Sequence, residues 1–144
     1  MMINDGAALD NIGFFISRTQ SQIRKLFLPK LRPYGITPEQ WVLFATLSEE
    51  EGISVTDLSN VSLKDKPYTT RLIADLEEQG LIRREENQDD KRSSLIFLTD
   101  KGRKLREEVV TMVSEFHQWM IEPLSEKEVQ ELKHLLNKVY VHIK

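Results

Sequence analysis

The sequence predicts a mainly α fold with one small β-hairpin. Three observations predict it. Most of the chain carries apolar residues near a 3.6-residue period, in stretches opened by residues that cap helices. Two short apolar runs, Ile82–Glu86 and Ser94–Leu98, flank a polar loop and read as antiparallel strands. Between Ser54 and Gln79, a short helix, a tight turn and an amphipathic helix follow one another, the order of a helix-turn-helix.

The elements follow in order. Residues from about Asp10 to Leu31 read as a long helix, with Ile12, Phe15, Ile16, Ile23, Leu26 and Phe27 near one face and Asp10 or Asn11 as cap. That stripe is wide for a lone surface helix, which leaves a core helix and a face toward a second chain as two readings. Arg32-Pro33-Tyr34-Gly35 makes a turn. Thr37-Pro38-Glu39-Gln40 starts the next helix, with Thr37 as cap, proline at the first position and Gln40 completing a capping box. Glu49 to Gly52 reads as a polar connection, and Ser54-Val55-Thr56-Asp57 starts a short helix. After a turn at Ser62–Lys64, Asp65 caps a helix that carries Pro67 in its first turn and the stripe Thr69, Leu72, Ile73 and Leu76; Gly80 stops it. The hairpin loop Asn87–Ser93 contains no glycine and no Asn-Gly pair, which disfavours a two-residue turn, and a longer, mobile loop is expected. Thr99-Asp100-Lys101-Gly102 opens a helix to about Met120, Pro123 interrupts, and Ser125 with Glu128 caps a last helix striped by Val129, Leu132, Leu135, Leu136, Val139, Tyr140 and Ile143.

Composition excludes several classes. The 144 residues are 40% hydrophobic and 30% charged, ordinary for a globular domain with a real core. No run approaches the roughly 18 apolar residues of a membrane span. Met1 to Asp5 has no basic region leading into an apolar one, so no signal peptide is read and a cytoplasmic location is expected. The sequence holds no cysteine, which removes disulfides and thiolate chemistry. Net charge is −3, against the usual balance of a nucleic-acid binder, but residues 62–106 carry 11 Lys/Arg against 9 Asp/Glu while both flanks are acidic. The three histidines, His117, His134 and His142, form no metal-binding pattern, and no nucleophile elbow or phosphate-binding glycine loop is present. No enzyme activity, metal or cofactor is expected.

The stretch from Lys64 to Arg92 therefore carries the functional expectation. Its helix offers Lys66, Tyr68, Thr70 and Arg71 away from the apolar stripe, and a charged hairpin follows at once. Together they are suited to hold DNA, the helix in the major groove and the hairpin beside it.

On these residues the chain resembles the MarR family of bacterial winged-helix transcriptional regulators. The resemblance runs through Gly35-Ile36-Thr37-Pro38-Glu39-Gln40-Trp41, through Asp65 to Arg84, and through Asp90-Lys91-Arg92-Ser93 to Leu98-Thr99-Asp100-Lys101-Gly102. It implies one MarR-type domain over residues 1–144. A winged helix-turn-helix lobe would fill about 37–100, and N- and C-terminal dimerisation helices about 9–33 and 103–144. It implies a homodimer on pseudo-palindromic double-stranded DNA, with Arg92 entering the minor groove and Asp90 orienting its guanidinium. In isolation the same pair also reads as a solvated loop tip.

Lys64, Lys66, Tyr68, Thr70, Arg71, Asp90, Lys91 and Arg92 are the expected DNA contacts. Pro67 and Tyr68 depart from the family, where small hydroxyl residues are usual, so base preference cannot be carried over. Ser54 and Thr56 read equally as caps or phosphate contacts, and Arg83 and Arg84 as structural residues or phosphate contacts. Asn87 replaces a common acidic residue, which predicts a looser wing. The family also implies release by a small aromatic or phenolic effector. Phe15, Tyr34, Trp41, Phe44 and Phe116, with Trp119, could line its crevice, although aromatics at helical spacing are usually core. The reading is a sequence-specific DNA-binding regulator, a repressor. Its rival is a winged-helix protein-interaction module without specific DNA binding.

Overall fold

The computed structural model describes residues 9–62 and 64–144. Leu63, within the turn expected at Ser62–Lys64, and the N-terminal residues read for a signal peptide lie outside the described residues. The order is α1 (Ile12–Leu31), a 3₁₀ turn (Arg32–Tyr34), α2 (Pro38–Thr46), β1 (Ile53–Ser54), α3 (Val55–Ser62), α4 (Lys66–Glu78), β2 (Ile82–Glu86), β3 (Ser94–Leu98), α5 (Asp100–Met120) and α6 (Glu126–Ile143). Two compact units divide within α5, the first running to Val109 and the second from Val110 to Lys144. No helix among the described residues is long and apolar enough to cross a membrane.

Caps set the helix starts. Asn11 accepts the Phe14 amide and opens α1. Thr37 and Gln40 form the full capping box of α2, and Ser125 and Glu128 that of α6. The Ser54 hydroxyl accepts the Asp57 amide at 3.1 Å and starts α3. Pro29 lies inside α1 near its carboxyl end and leaves the carbonyl four residues back without its helical N–H donor. Gly35 then turns the chain at φ 73°.

In the first unit, α4 packs on α2 and α3, and its buried face is Thr69, Ile73 and Leu76. Leu43, Phe44, Leu58 and Leu81 complete a closed core. A polar network fixes the angle of α4. The buried Gln40 side-chain amide donates to Asp75 at 2.6 Å, and Gln79 donates to the same carboxylate and to the Gly35 carbonyl, both at 3.1 Å. So the start of α2 is tied to the end of α4.

The expected hairpin has the expected limits, with Ile82 opposite Leu98 and Glu86 opposite Ser94. It belongs to a three-stranded sheet in the order β1-β3-β2. The Glu49–Gly52 connection thus leads into a strand that the sequence reading passed over. Two residues are too short to show a period of two, and only their pairing with Leu95 and Ile96 makes them a strand. Gly102 is packed against the sheet: a Cβ there would stand 2.1 Å from the Leu81 carbonyl oxygen. Thr99 anchors the same corner, donating to the Gly80 carbonyl at 2.7 Å and accepting the Gly102 amide at 3.0 Å.

Candidate nucleic-acid interface

Two exposed features of the first unit carry the predicted contacts, the amino end of α4 and the tip of the hairpin. The first is positioned from below. Thr69 is completely buried, and its hydroxyl lies 3.1 Å from that of Ser62 at the end of α3. With Thr69 pointing inward, Lys66, Pro67, Thr70 and Arg71 point outward and are exposed, as Lys64 is before the cap.

The backbone of this helix end has little to offer an anion. Pro67 has no N–H, the Tyr68 amide donates to the Asp65 carboxylate at 2.8 Å, and the Thr69 amide donates to the Asp65 carbonyl at 3.0 Å. Contacts must come from side chains. Tyr68 is half-buried, and its ring is flanked by two cations, Lys64 Nζ at 5.7 Å and Arg71 Cζ at 5.4 Å from the centroid. The Thr70 hydroxyl donates to the Lys66 carbonyl at 2.8 Å. Pro67, Thr70, Arg71 and the stem of Lys66 line a shallow, open hollow.

At the hairpin tip, Asp90 acts as an organiser. Its carboxylate accepts the Arg92 amide at 3.0 Å and the Arg92 Nε at 3.2 Å, and its carbonyl accepts the Ser93 amide at 3.1 Å. The Arg92 side chain is nonetheless 92% exposed. Its guanidinium is aimed by Asp90 without being covered. Asn87, expected to leave the wing looser, closes the loop by hydrogen bonds: its amide nitrogen donates to the Ser93 hydroxyl at 3.2 Å and its side-chain oxygen accepts the Asp89 amide at 3.0 Å.

The arginines of this segment fall into two groups. Arg83 pairs with Glu85 and lies over Phe97, its cross-strand partner, with Cζ 4.3 Å from the ring centroid. Arg84 pairs with Glu77 at 2.9 Å. Both are turned to their own fold. Among the described residues, no carboxylate forms an ion pair with Lys64, Lys66, Arg71 or Lys91. Ser54 and Thr56 divide as well, since Ser54 caps α3 and Thr56 stands exposed on it.

The aromatic residues proposed for an effector are placed differently from one another. Phe15 is exposed and Tyr34 half-buried, whereas Phe44 is fully buried in the core with Trp41 edge-on at 6.4 Å. Phe116 lies in the second unit, its ring 5.9 Å from that of Trp119. That unit contains a cleft of about 460 Å³ between the end of α5 and the start of α6, lined by residues that include His117, Ile121, Glu122, Val129 and Lys133. None of the five predicted aromatics lines it. Among the described residues no group of three or more His, Asp or Glu is placed to hold a metal.

A charged tip on a hairpin beside a helix-turn-helix defines a winged helix-turn-helix. The comparisons place it further. The pattern of the MarR family matches residues 36–94, which span α2 to the start of β3. The transcriptional regulator FarR of Neisseria gonorrhoeae is 32% identical over 126 residues, 88% of this chain and 85% of its own. The organic hydroperoxide resistance transcriptional regulator of Bacillus subtilis is 29% identical over 137 residues, 94% and 90% of the two chains. Among solved structures, S. aureus MepR in complex with DNA superposes with a TM-score of 0.84 at 25% identity, covering 92% of this chain and 98% of that one. A mutant E. coli MarR in complex with operator DNA gives 0.83 at 28% identity, covering 92% and 95%. The chain belongs to the MarR family, whose named members here are transcriptional regulators and not enzymes.

Proposed function

We propose that this chain is a sequence-specific, duplex-DNA-binding repressor acting in the cytoplasm as a homodimer, with α4 in the major groove and the wing in the adjacent minor groove. The observation that carries this reading is the wing tip, where an arginine 92% exposed is oriented by a neighbouring carboxylate. A narrow minor groove concentrates negative potential, and a planar, permanently charged group suits it. An acidic side chain so close to phosphates would oppose binding unless it aimed that group. Dimerisation is supported by α6, where Leu132, Leu135, Leu136, Val139 and Ile143 stand exposed along one stripe. A dimer presents two wings and two recognition helices to half-sites about one helical turn apart. A small aromatic or phenolic effector that favoured another spacing would release the DNA. Sensing of a peroxide by a reactive thiol is excluded, because this sequence has no cysteine.

The test is binding of duplex genomic fragments across a salt series. Affinity should fall steeply with salt as phosphate contacts release counterions, and Arg92→Ala should lower it about tenfold or more and reduce the salt slope by about one. Wild-type affinity in a folded Arg92→Ala protein overturns the minor-groove role. Absence of duplex binding by the wild type favours the interaction module, the reading that the net charge of −3 supports.

A further inference from the structure

The departures of α4 from its family, Pro67 and Tyr68, stand on its exposed face and are engaged there in two arrangements. Tyr68 presents its ring to Arg71, three residues on, and to Lys64, four residues back. A guanidinium lying against an aromatic face loses much of its freedom to wander, while its edge N–H groups stay available. Lys64 lies before the helix cap and brings a point charge suited to a phosphate; Arg71 lies a turn into the helix and brings a planar fork suited to guanine O6 and N7. Beside that fork, the hollow lined by Pro67 and Thr70 offers carbon. Pro67 has no N–H, and the Thr70 hydroxyl proton is committed to the Lys66 carbonyl, so neither residue has a donor to offer a ligand and both add carbon to the hollow. In the major groove the base feature that matches an apolar hollow is the thymine C5-methyl.

We infer that α4 reads a thymine next to a guanine: Arg71 takes the guanine from a position set by Tyr68, and Pro67 and Thr70 receive the thymine methyl. This rests on the DNA-binding reading above and assigns base preference within it. Tyr68 is a positioning residue in this scheme, and its hydroxyl is dispensable. The departure from small hydroxyl residues is then the origin of a base preference that relatives with other residues here do not share.

The test begins with selection of duplexes from a random-sequence pool by the wild-type protein. The selected half-site should contain adjacent T·A and G·C pairs. Two chemical changes are then made in the selected duplex. Thymine→uracil removes only the methyl, and guanine→7-deazaguanine removes only the N7 acceptor. Each should weaken wild-type binding about fivefold or more at matched salt. Thr70→Ser should become indifferent to uracil, and Arg71→Ala to 7-deazaguanine. Tyr68→Phe should behave as wild type, whereas Tyr68→Ala should lose the guanine discrimination while keeping salt-dependent binding to unrelated duplex. A wild type that selects duplexes but ignores both base changes overturns this inference and leaves the DNA-binding reading standing. A wild type that selects nothing overturns both. Because the base changes are made in the DNA, the result does not depend on any variant folding.

Discussion

Helices α4 and α6 are written in nearly the same way and end in opposite states. Each is opened by an oxygen-bearing cap, Asp65 in one and Ser125 in the other, and each carries an apolar stripe at helical spacing. In α4 the stripe is covered, with Ile73 and Leu76 buried and Thr69 beside them. In α6 only Val129 is buried, while Leu135 is 56% and Ile143 71% exposed. The pattern reports that a helix has a sticky side. It does not report whether the chain itself supplies the other surface. Where it does, the opposite face is free for other contacts, and there Lys66, Thr70 and Arg71 stand exposed. Where it does not, the stripe is left for another surface, and a second copy of the chain is the partner proposed for it.

The largest expected effect breaks α6. The double substitution Leu135→Glu with Leu136→Glu places two carboxylates in the proposed interface and should raise the dimer dissociation constant by at least about a hundredfold. Sedimentation velocity reads the mass directly. An unchanged dimer would mean that the exposed stripe is not the contact, and the comparison between the two helices would lose its explanation.

An intermediate effect is expected in α4. Leu76→Ala removes a fully buried side chain from a closed core and should cost about 3 kcal/mol in urea unfolding. This loss should not depend on protein concentration beyond the dependence shown by the wild type, because the stripe it damages is covered within the first unit. If it proves no worse than a surface substitution, α4 is less tightly seated than its burial indicates.

Much of this was legible in advance, and the reason is local. Caps and periodic stripes are encoded within four or five residues, so Thr37/Gln40, Asp65 and Ser125 located their helices. The wing tip was legible because Asp90 and Arg92 are two residues apart. What escaped depends on residues distant in sequence. Strand β1 exists only through β3, some forty residues on. The network of Gln40, Asp75 and Gln79 joins helices whose sequences give no sign of each other. The occupation of Arg83 by Phe97 and of Arg84 by Glu77 separated them from the free cations, a distinction that composition cannot make. The placement of Tyr68 between Lys64 and Arg71 lay at helical spacing, but only the ring positions showed that both cations reach it.

The smallest expected effect lies at the start of α5, where exposed charges add to the packing of Gly102 on the sheet. Arg103 meets Glu49 at 2.6 Å, Asp100 at 2.7 Å and Glu107 at 3.0 Å, tying the helix to the connection before β1. The hydrogen bond from Arg103, then the hydrogen bond and charge of Lys104, hold the Asp100 carboxyl below its ordinary range. A depressed carboxylate contributes stability above its unfolded pKa and loses it as pH falls through the lower folded value. The contribution of such exposed pairs is small, because solvent screens them. Asp100→Asn should therefore lower the urea midpoint slightly near neutral pH, by a small fraction of the Leu76→Ala loss. The gap should close as pH descends through the carboxylate range, where wild-type Asp100 is itself neutral. A gap that persists unchanged at acid pH would assign the effect to the neutral contacts of the side chain rather than to its charge. It would also show that the first unit relies on geometry at this corner as much as α4 does on its buried stripe.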